Sequence, residues 1–195
     1  MPLILEGIVT TTNVDNHPNI SPMGPIVDPS MQTLTLRPYQ TSTTFENLQR
    51  TGVGVFHVVD NVELLARAAV GKLDPVPSLS RCRDVPGYIL DDACRWYAFR
   101  VRSQADDTER SRLDCQVVSH GHLRDFFGLN RAKHAVVEAA ILTTRITWSS
   151  RSDIEGEFQR LASLVDKTGG TVERRAFAFL IDYVRQTPNT CFAAS

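Results

Sequence analysis

The densest group of polar side chains lies in residues 37–47, which read Arg-Pro-Tyr-Gln-Thr-Ser-Thr-Thr-Phe-Glu-Asn. Four consecutive hydroxyl residues precede a segment with the spacing of a short helix. The first turn of a helix offers unpaired N–H groups and a partial positive charge, and both favour a phosphate. Hydroxyl groups add donors, and a guanidinium can bind two phosphate oxygens. The candidate anion ligands are therefore Arg37, Thr41, Ser42, Thr43 and Thr44.

A simpler interpretation explains the same residues without a ligand. Thr43 and Glu46 have the spacing of a capping box, so Thr43 could serve only as an N-cap. Arg37 would then be a solvated charge at the end of a strand. Glu46 also places a negative charge in the first turn, which opposes an anion. Local chemistry by itself favours this interpretation.

A second motif, Ser21-Pro-Met-Gly-Pro25, suits contact with a flat ligand. The two prolines lack N–H groups and stiffen the chain, while Gly24 allows a close approach to the backbone. The remaining N–H groups of Met23 and Gly24 could face the edge of a ring. A kinked edge strand or a bulge would explain the motif equally well.

The histidines suggest a competing metal site. His120 and His122 alternate in an extended segment, which places both rings on one face. His134 and Glu138 are four residues apart and share a helix face, where we expect them to form a hydrogen bond. Such a set could bind a metal, but the sequence specifies no third ligand, so we predict no metal site.

The sequence predicts strands and short helices up to about residue 122. The apolar run 53–59 reads as a buried strand, and Asp60-Asn61 begins a short helix. Segment 72–95 holds three prolines and has no periodicity, so it is predicted as an irregular loop. The other predicted elements are strands at 3–10, 31–36, 96–101 and 113–118 and a helix at 41–50.

The C-terminal third predicts three helices. Asn130 can cap a helix that runs to about Ile146. Ser152 and Glu155 have capping-box spacing, and Gly169-Gly170 ends the helix that follows. The last helix begins at Thr171, with Pro188 as its terminator. Their apolar stripes indicate core packing.

Composition excludes several classes of protein. The chain has 195 residues and a net charge of −1, whereas nucleic-acid-binding proteins carry a basic surplus. No positive segment precedes Arg37, and no apolar stretch is long enough to span a membrane, so we expect a cytoplasmic protein. The cysteines form no C-x-x-C pair, which favours reduced thiols. They are Cys82, Cys94, Cys115 and Cys191.

In order along the chain, these motifs resemble the FMN-binding split-barrel proteins, which include flavin-reductase-like and pyridoxamine-phosphate-oxidase-like groups. The matching residues are Ser21-Pro22, then Arg37, Ser42, Thr43, Thr44 and Asn47, then the apolar strand 53–59. Nearly the whole chain is similar to one branch, the family of domain of unknown function four hundred and forty-seven. That similarity rests on residues 5–8, 21–24, 37–39 and 130–138.

The resemblance implies an α+β fold: a six-stranded split β-barrel with short helices, plus a C-terminal three-helix extension. It also implies a homodimer with FMN near the subunit interface, an FMN-binding domain at 1–125 and a helical subdomain at 126–195. Arg37, Ser42, Thr43 and Thr44 would hold the phosphate, Met23 and Gly24 would contact the isoalloxazine through their backbones, and Asn47 would brace the turn. The Tyr39-Gln-Thr41 turn is bulkier than the usual Ser-rich one.

Three functions remain open on the sequence. The first is an FMN-dependent oxidoreductase that uses NAD(P)H or another reductant, in which the cofactor carries the chemistry and no catalytic residue can be named. The second is a non-catalytic flavin carrier, and the third is a metal-dependent enzyme. Segment 72–95 would be a substrate lid or a surface insertion. Lys72 or an arginine in that segment could stabilise anionic reduced flavin.

Overall fold

The structure is a computed structural model that describes residues 2–105 and 109–188. The chain forms two compact units. The first, here called the sheet unit, comprises residues 1–59 and 75–126. The second, the helical unit, comprises residues 60–74 and 127–195. A short helix from the middle of the sequence therefore packs with the C-terminal helices.

The sheet unit contains eight strands in one antiparallel sheet, in the order β1-β4-β5-β10-β9-β6-β2-β3. Two further strands, β7 and β8, form a separate hairpin. The bounds are β1 Leu3–Ile4, β2 Gly7–Thr12, β3 Pro18–Met23, β4 Ile26–Val27, β5 Thr33–Leu36, β6 Val53–Val58, β7 Leu79–Arg81, β8 Tyr88–Leu90, β9 Arg95–Ala105 and β10 Arg112–His122.

The predicted number of six strands needs correction, because each of the first two long strands is broken. The first divides at Leu5-Glu6 and the second at Gly24-Pro25. The first strand thus becomes β1 and β2, and the second becomes β3 and β4. β2 pairs with β3 at one end of the sheet, and β1 pairs with β4 at the other end. The Leu5 amide donates to the Pro25 carbonyl (3.1 Å) between the two pairings. One bent hairpin thus joins both edges and curls the sheet.

The core of the sheet unit follows from alternation along its strands. Buried apolar side chains from β2, β4, β5, β6, β9 and β10 form one cluster, which also receives two residues of the first helix. This helix, α1 (Thr43–Thr51), buries Phe45 and Leu48 in the cluster. Gly52 ends the helix with φ +65°, a left-handed conformation that favours glycine. Residues 41–50 were thus correctly predicted as helical, to within two residues at the start.

The capping box predicted for Thr43 and Glu46 is wrong by one residue. Ser42 is the N-cap, since its hydroxyl accepts the N–H of Phe45 at 3.2 Å. Phe45 therefore occupies the third helical position, where a capping box needs Glu or Gln. Glu46 lies one position further and is exposed.

The sequence predicted segment 72–95 as an irregular loop, but part of this segment is regular. β7 and β8 pair as a hairpin within it, and two hydrogen bonds tie this hairpin to the sheet. The Thr10 hydroxyl donates to the Tyr88 carbonyl (2.5 Å), and the Leu90 amide donates to Nε2 of His57 (3.1 Å). The sequence did not predict these short strands, because the prolines around them are typical of loops. Their stabilising hydrogen bonds come from residues of β2 and β6, which are distant in sequence.

The helical unit consists of α2 Val62–Ala69, α3 Arg131–Thr143, α4 Arg151–Thr168 and α5 Thr171–Gln186. Asn130 caps α3 as predicted, although α3 ends three residues before Ile146. α2 begins where Asp60-Asn61 predicted a helix start, and Asn61 is its N-cap. α4 begins earlier than predicted: Ser150 is its N-cap, because the Ser150 hydroxyl accepts the Asp153 amide at 3.2 Å. No helix among the described residues is both long enough and apolar enough to cross a membrane.

Apolar side chains from all four of these helices form the core of the helical unit. Leu180 is fully buried, and the rings of Phe158 and Phe177 lie 5.4 Å apart. Polar contacts lie at the margin. Lys133 donates to the Asp60 carbonyl and forms an ion pair with Glu173 (3.3 Å).

Candidate functional site

The start of α1 combines free backbone donors with exposed hydroxyl groups. The Ser42 hydroxyl donates to the Tyr39 carbonyl (2.7 Å) and accepts the Phe45 amide. The Ser42 carbonyl accepts the Glu46 amide (3.1 Å). Among the described residues, the amides of Thr43 and Thr44 have no hydrogen-bond partner. Two N–H groups at the positive end of the helix are therefore available to an anion.

The predicted phosphate ligands differ in accessibility. Arg37, Thr41 and Thr43 are exposed, and Ser42 is half-buried. The Arg37 guanidinium has no hydrogen bond or ion pair with any residue that the structure describes. These residues lie together at the end of β5 and the start of α1. The arginine, the exposed hydroxyls and the two free amides all belong to the segment from the end of β5 to the first turn of α1.

Thr44 and Asn47 lie on the buried side of α1 instead. The Asn47 amide donates to the Thr11 hydroxyl (3.0 Å) and to the Asn13 side-chain oxygen (2.8 Å). Asn19 donates to the Thr44 hydroxyl at 3.0 Å. These contacts join α1 to β2 and β3, so both side chains brace the helix from below. A bracing role for Asn47 is what the family resemblance implied, and a part for Asn47 in cofactor binding remains a prediction.

Backbone hydrogen bonds also connect the segment before α1 with the residues that precede β10. The Gln40 amide donates to the Glu109 carbonyl (3.1 Å), and the Ser111 amide donates to the Pro38 carbonyl (3.0 Å). Tyr39 and Arg110 form an isolated bridge between these two bonds. Two chain segments some 70 residues apart therefore fix the conformation of the turn.

The second predicted motif occupies the end of β3. Ser21 pairs with Val9 and Met23 pairs with Gly7, both in the β2–β3 ladder. A Cβ at Gly24 would lie 2.8 Å from a carboxylate oxygen of Glu6 and 2.9 Å from Ile4. Packing within the sheet unit therefore accounts for this glycine. The backbone contacts of Met23 and Gly24 with a flavin ring remain a prediction.

His57 is a buried residue that the sequence analysis treated only as part of an apolar strand. Its Nδ1 lies 3.2 Å from the Ile8 carbonyl, and its Nε2 accepts the Leu90 amide. These partners require a neutral ring with the proton on Nδ1. Burial lowers the pKa of His57 to about 4. A histidine inside a continuous apolar run was the available signal, but its partners are far away in the sequence.

The other histidines do not converge. The His122 ring contacts Asp125 (3.1 Å), and the His120 ring packs near Tyr97. His134 and Glu138 are both exposed, and the hydrogen bond predicted between them is not formed. Within the described ranges, no group of three or more potential metal ligands occurs. Cys82, Cys94 and Cys115 are buried and form no disulfide among the described residues, and Cys191 lies outside those residues.

An open cavity of about 620 Å³ lies in the helical unit, and none of the predicted phosphate ligands lines it. Its lining mixes the aromatic residues Phe179 and Tyr183 with the charged residues Arg67, Lys72 and Asp182. The Arg67 guanidinium stacks on Phe179 (4.6 Å) and is already paired with Glu63. Its cation is therefore engaged within the protein.

Family comparison matches both parts of the chain. Residues 5–124 match the N-terminal domain of a protein of unknown function (DUF447), and residues 130–182 match the remaining DUF447 domain. No curated protein matches the chain.

Solved structures share the fold. An FMN-bound protein from Methanosarcina mazei is 22% identical, with a TM-score of 0.81, covering 94% of this chain and 96% of that one. A flavin reductase domain protein from Arthrobacter is 16% identical, with a TM-score of 0.53 over 64% of this chain and 80% of its own. Flavoredoxin from Methanosarcina acetivorans is 9% identical, with a TM-score of 0.52 over 61% and 68%. All three likenesses are below 25% identity and show a shared fold.

Proposed function

The chain belongs to the DUF447 family of proteins of unknown function, and from that premise we propose that it is an FMN-binding flavoprotein. The observation that carries this proposal is the start of α1, where two free amides lie beside exposed hydroxyls and Arg37. The fold is shared with a protein described as FMN-bound, which supports the same conclusion.

The residues at this turn fit a phosphate ester. An oxygen of the ester can accept the Thr43 and Thr44 amides, and the helix dipole favours its charge. Arg37, Thr41 and Thr43 then supply donors from exposed side chains. Thr44 contributes its amide, because its hydroxyl is already bonded to Asn19. Glu46 is the acidic residue of this first turn, so the grip depends on the cation of Arg37.

The proposed reaction is a redox step, and bound FMN would supply the hydride chemistry. The chain itself binds the phosphate and holds the turn rigid through the Asn47 contacts. We propose NAD(P)H or another small reductant as the electron source and a homodimer as the working form. The likeness to a flavin reductase domain protein supports the redox assignment.

Binding of FMN and of riboflavin separates phosphate recognition from recognition of the ring. We expect Arg37→Ala to raise the Kd for FMN about tenfold or more, because charge-assisted hydrogen bonds contribute about 1.5–3 kcal/mol. Affinity for riboflavin, which lacks the phosphate, should not change. Quenching of flavin fluorescence measures both.

Arg95→Ala is the matched control. Arg95 is an exposed arginine at the opposite end of β9 from the turn, ten residues and roughly 30 Å along the strand. Its loss should leave both affinities unchanged. Wild-type protein that binds riboflavin and FMN equally would contradict the phosphate grip, and protein that binds neither would contradict the whole proposal.

Turnover is tested on the FMN-loaded protein. Under anaerobic conditions, addition of NADH or NADPH should bleach the flavin absorbance near its visible maximum. A loaded protein that neither nucleotide bleaches, and that dithionite does, would indicate a flavin carrier instead of an NAD(P)H-dependent oxidoreductase.

A further inference from the structure

Resting on the proposed function, we infer that Arg110 is a positioning residue for the phosphate of the flavin. It precedes β10 and is far from Arg37 in sequence, and neither the family comparison nor the sequence motifs pointed to it. The juxtaposition of Arg110, Tyr39 and the Arg37 backbone carries the inference.

Arg110 contacts the turn in two ways. Its guanidinium carbon lies 3.9 Å from the centre of the Tyr39 ring, which is close for a cation stacked on an aromatic face. Its Nη1 donates to the Arg37 carbonyl at 3.2 Å. The Arg110 side chain therefore contacts both Arg37, which is proposed to bind the phosphate, and Tyr39, which lies three residues before the N-cap Ser42.

The backbone explains why Arg110 lies there. Hydrogen bonds on either side of it, from Gln40 to Glu109 and from Ser111 to Pro38, pair the turn with the approach to β10. Exposed and buried residues alternate through this approach: Arg110 is exposed and Ser111 is buried. Extended backbone turns successive side chains to opposite faces. Arg110 must therefore lie over the outer surface of the turn, where Tyr39 receives it.

The Arg110–Tyr39 contact explains why a bulky residue occupies this turn. A Ser-rich turn would offer hydroxyl donors, whereas Tyr39 offers a flat platform that keeps a guanidinium in place. A lysine cannot reproduce the contact, since an ammonium group is not planar and cannot both stack and donate sideways.

The test compares FMN with riboflavin on the full-length protein. We expect Arg110→Ala to weaken FMN binding about five- to tenfold and to leave riboflavin binding within twofold. Arg110→Lys should resemble Arg110→Ala. Tyr39→Phe keeps the aromatic face and should bind FMN like the wild type, whereas Tyr39→Ala should lose affinity as Arg110→Ala does.

A double-mutant cycle shows whether Arg110 acts through Arg37. In an Arg37→Ala background, Arg110→Ala should weaken FMN binding by less than twofold, because the guanidinium that it positions is gone. Ser111→Ala, one residue away with its side chain on the other face, is the matched control and should leave FMN affinity unchanged.

The outcomes are separable. If Arg37→Ala weakens FMN binding but Arg110→Ala does not, the positioning role is overturned and the proposed function stands. If Arg110→Ala weakens FMN and riboflavin equally, the residue acts on the fold of the turn and the inference is again overturned. Failure of the wild type to bind FMN would overturn the proposed function and this inference together.

Discussion

The sheet unit and the helical unit stabilise their interiors by different means. In the sheet unit, buried polar side chains such as Asn47 and His57 form hydrogen bonds with residues more than 30 positions away. In the helical unit the central cluster is apolar, and the Lys133–Glu173 pair lies at its margin. Buried polar groups must be paired in defined directions, whereas apolar packing tolerates adjustment. The unit that carries the candidate site is therefore the one with the more exact internal geometry.

Acid should distinguish the two units, because only the sheet unit has a histidine at its centre. The folded-state pKa of His57 lies near 4, below the 6.5 of an exposed histidine. Between these values the unfolded chain binds a proton that the folded chain does not, so stability falls as the pH decreases from about 6.5 to about 4. The contact that protonation removes is the acceptor for the Leu90 amide.

The largest change in the free energy of unfolding is expected for a substitution in the apolar core of the helical unit. Leu180 is fully buried in the helical unit, and Leu180→Ala should lower the free energy of unfolding by about 2–5 kcal/mol through lost burial and a cavity. Urea denaturation followed by circular dichroism measures the change. Val172→Ala, at a 37% exposed position of the same helix, should cost less than about 0.5 kcal/mol. Equal effects of the two variants would show that the helical core is loosely packed.

The next effect sharpens the acid difference. From pH 7 to pH 4.5, His57 should contribute a loss of roughly 2–3 kcal/mol in the free energy of unfolding. His57→Gln can donate to the Ile8 carbonyl and accept from Leu90 but cannot titrate, so its stability should change less over this range. Urea denaturation at both pH values tests this. An identical pH dependence in both proteins would mean that His57 is not the group responsible.

A third effect concerns the polar contacts beneath α1. Asn47→Ala removes donors to Thr11 and Asn13 in a buried position and should cost about 2 kcal/mol. FMN affinity should also fall, because α1 loses its brace. Gln49→Ala, at an exposed position of the same helix, is the control and should be neutral. Should Asn47→Ala cost no more than this control, the polar network would not explain the rigidity of the site.

The smallest effect runs in the opposite direction. The Ser111 hydroxyl is buried and has no hydrogen-bond partner among the described residues. Ser111→Ala removes an unpaired polar group and should be neutral or stabilising by up to about 1 kcal/mol. Thermal denaturation measures this change. A loss of more than 1 kcal/mol would reveal that the hydroxyl does have a partner.

Elements whose signals lie within a few residues could be predicted. The cap at Asn130, the helix start at Asp60-Asn61 and the apolar run of β6 each depend on neighbours in sequence. So does the cluster of hydroxyls at the start of α1. The N-cap of α1 was predicted at Thr43 and lies at Ser42. This error is only one residue, because adjacent hydroxyl residues can each serve as the cap.

The remaining features were decided by the tertiary structure. The β7–β8 hairpin, the roles of Thr44 and His57, and the stack of Arg110 on Tyr39 all depend on partners from distant parts of the chain. The helix α2 likewise packs with α3 and α5, which lie far from it in the sequence. By itself, the sequence determined where a phosphate-binding turn could form and which residues could line it. Only the fold decided which of those side chains stay exposed and which become braces, because burial and pairing arise from long-range contacts that no local pattern contains.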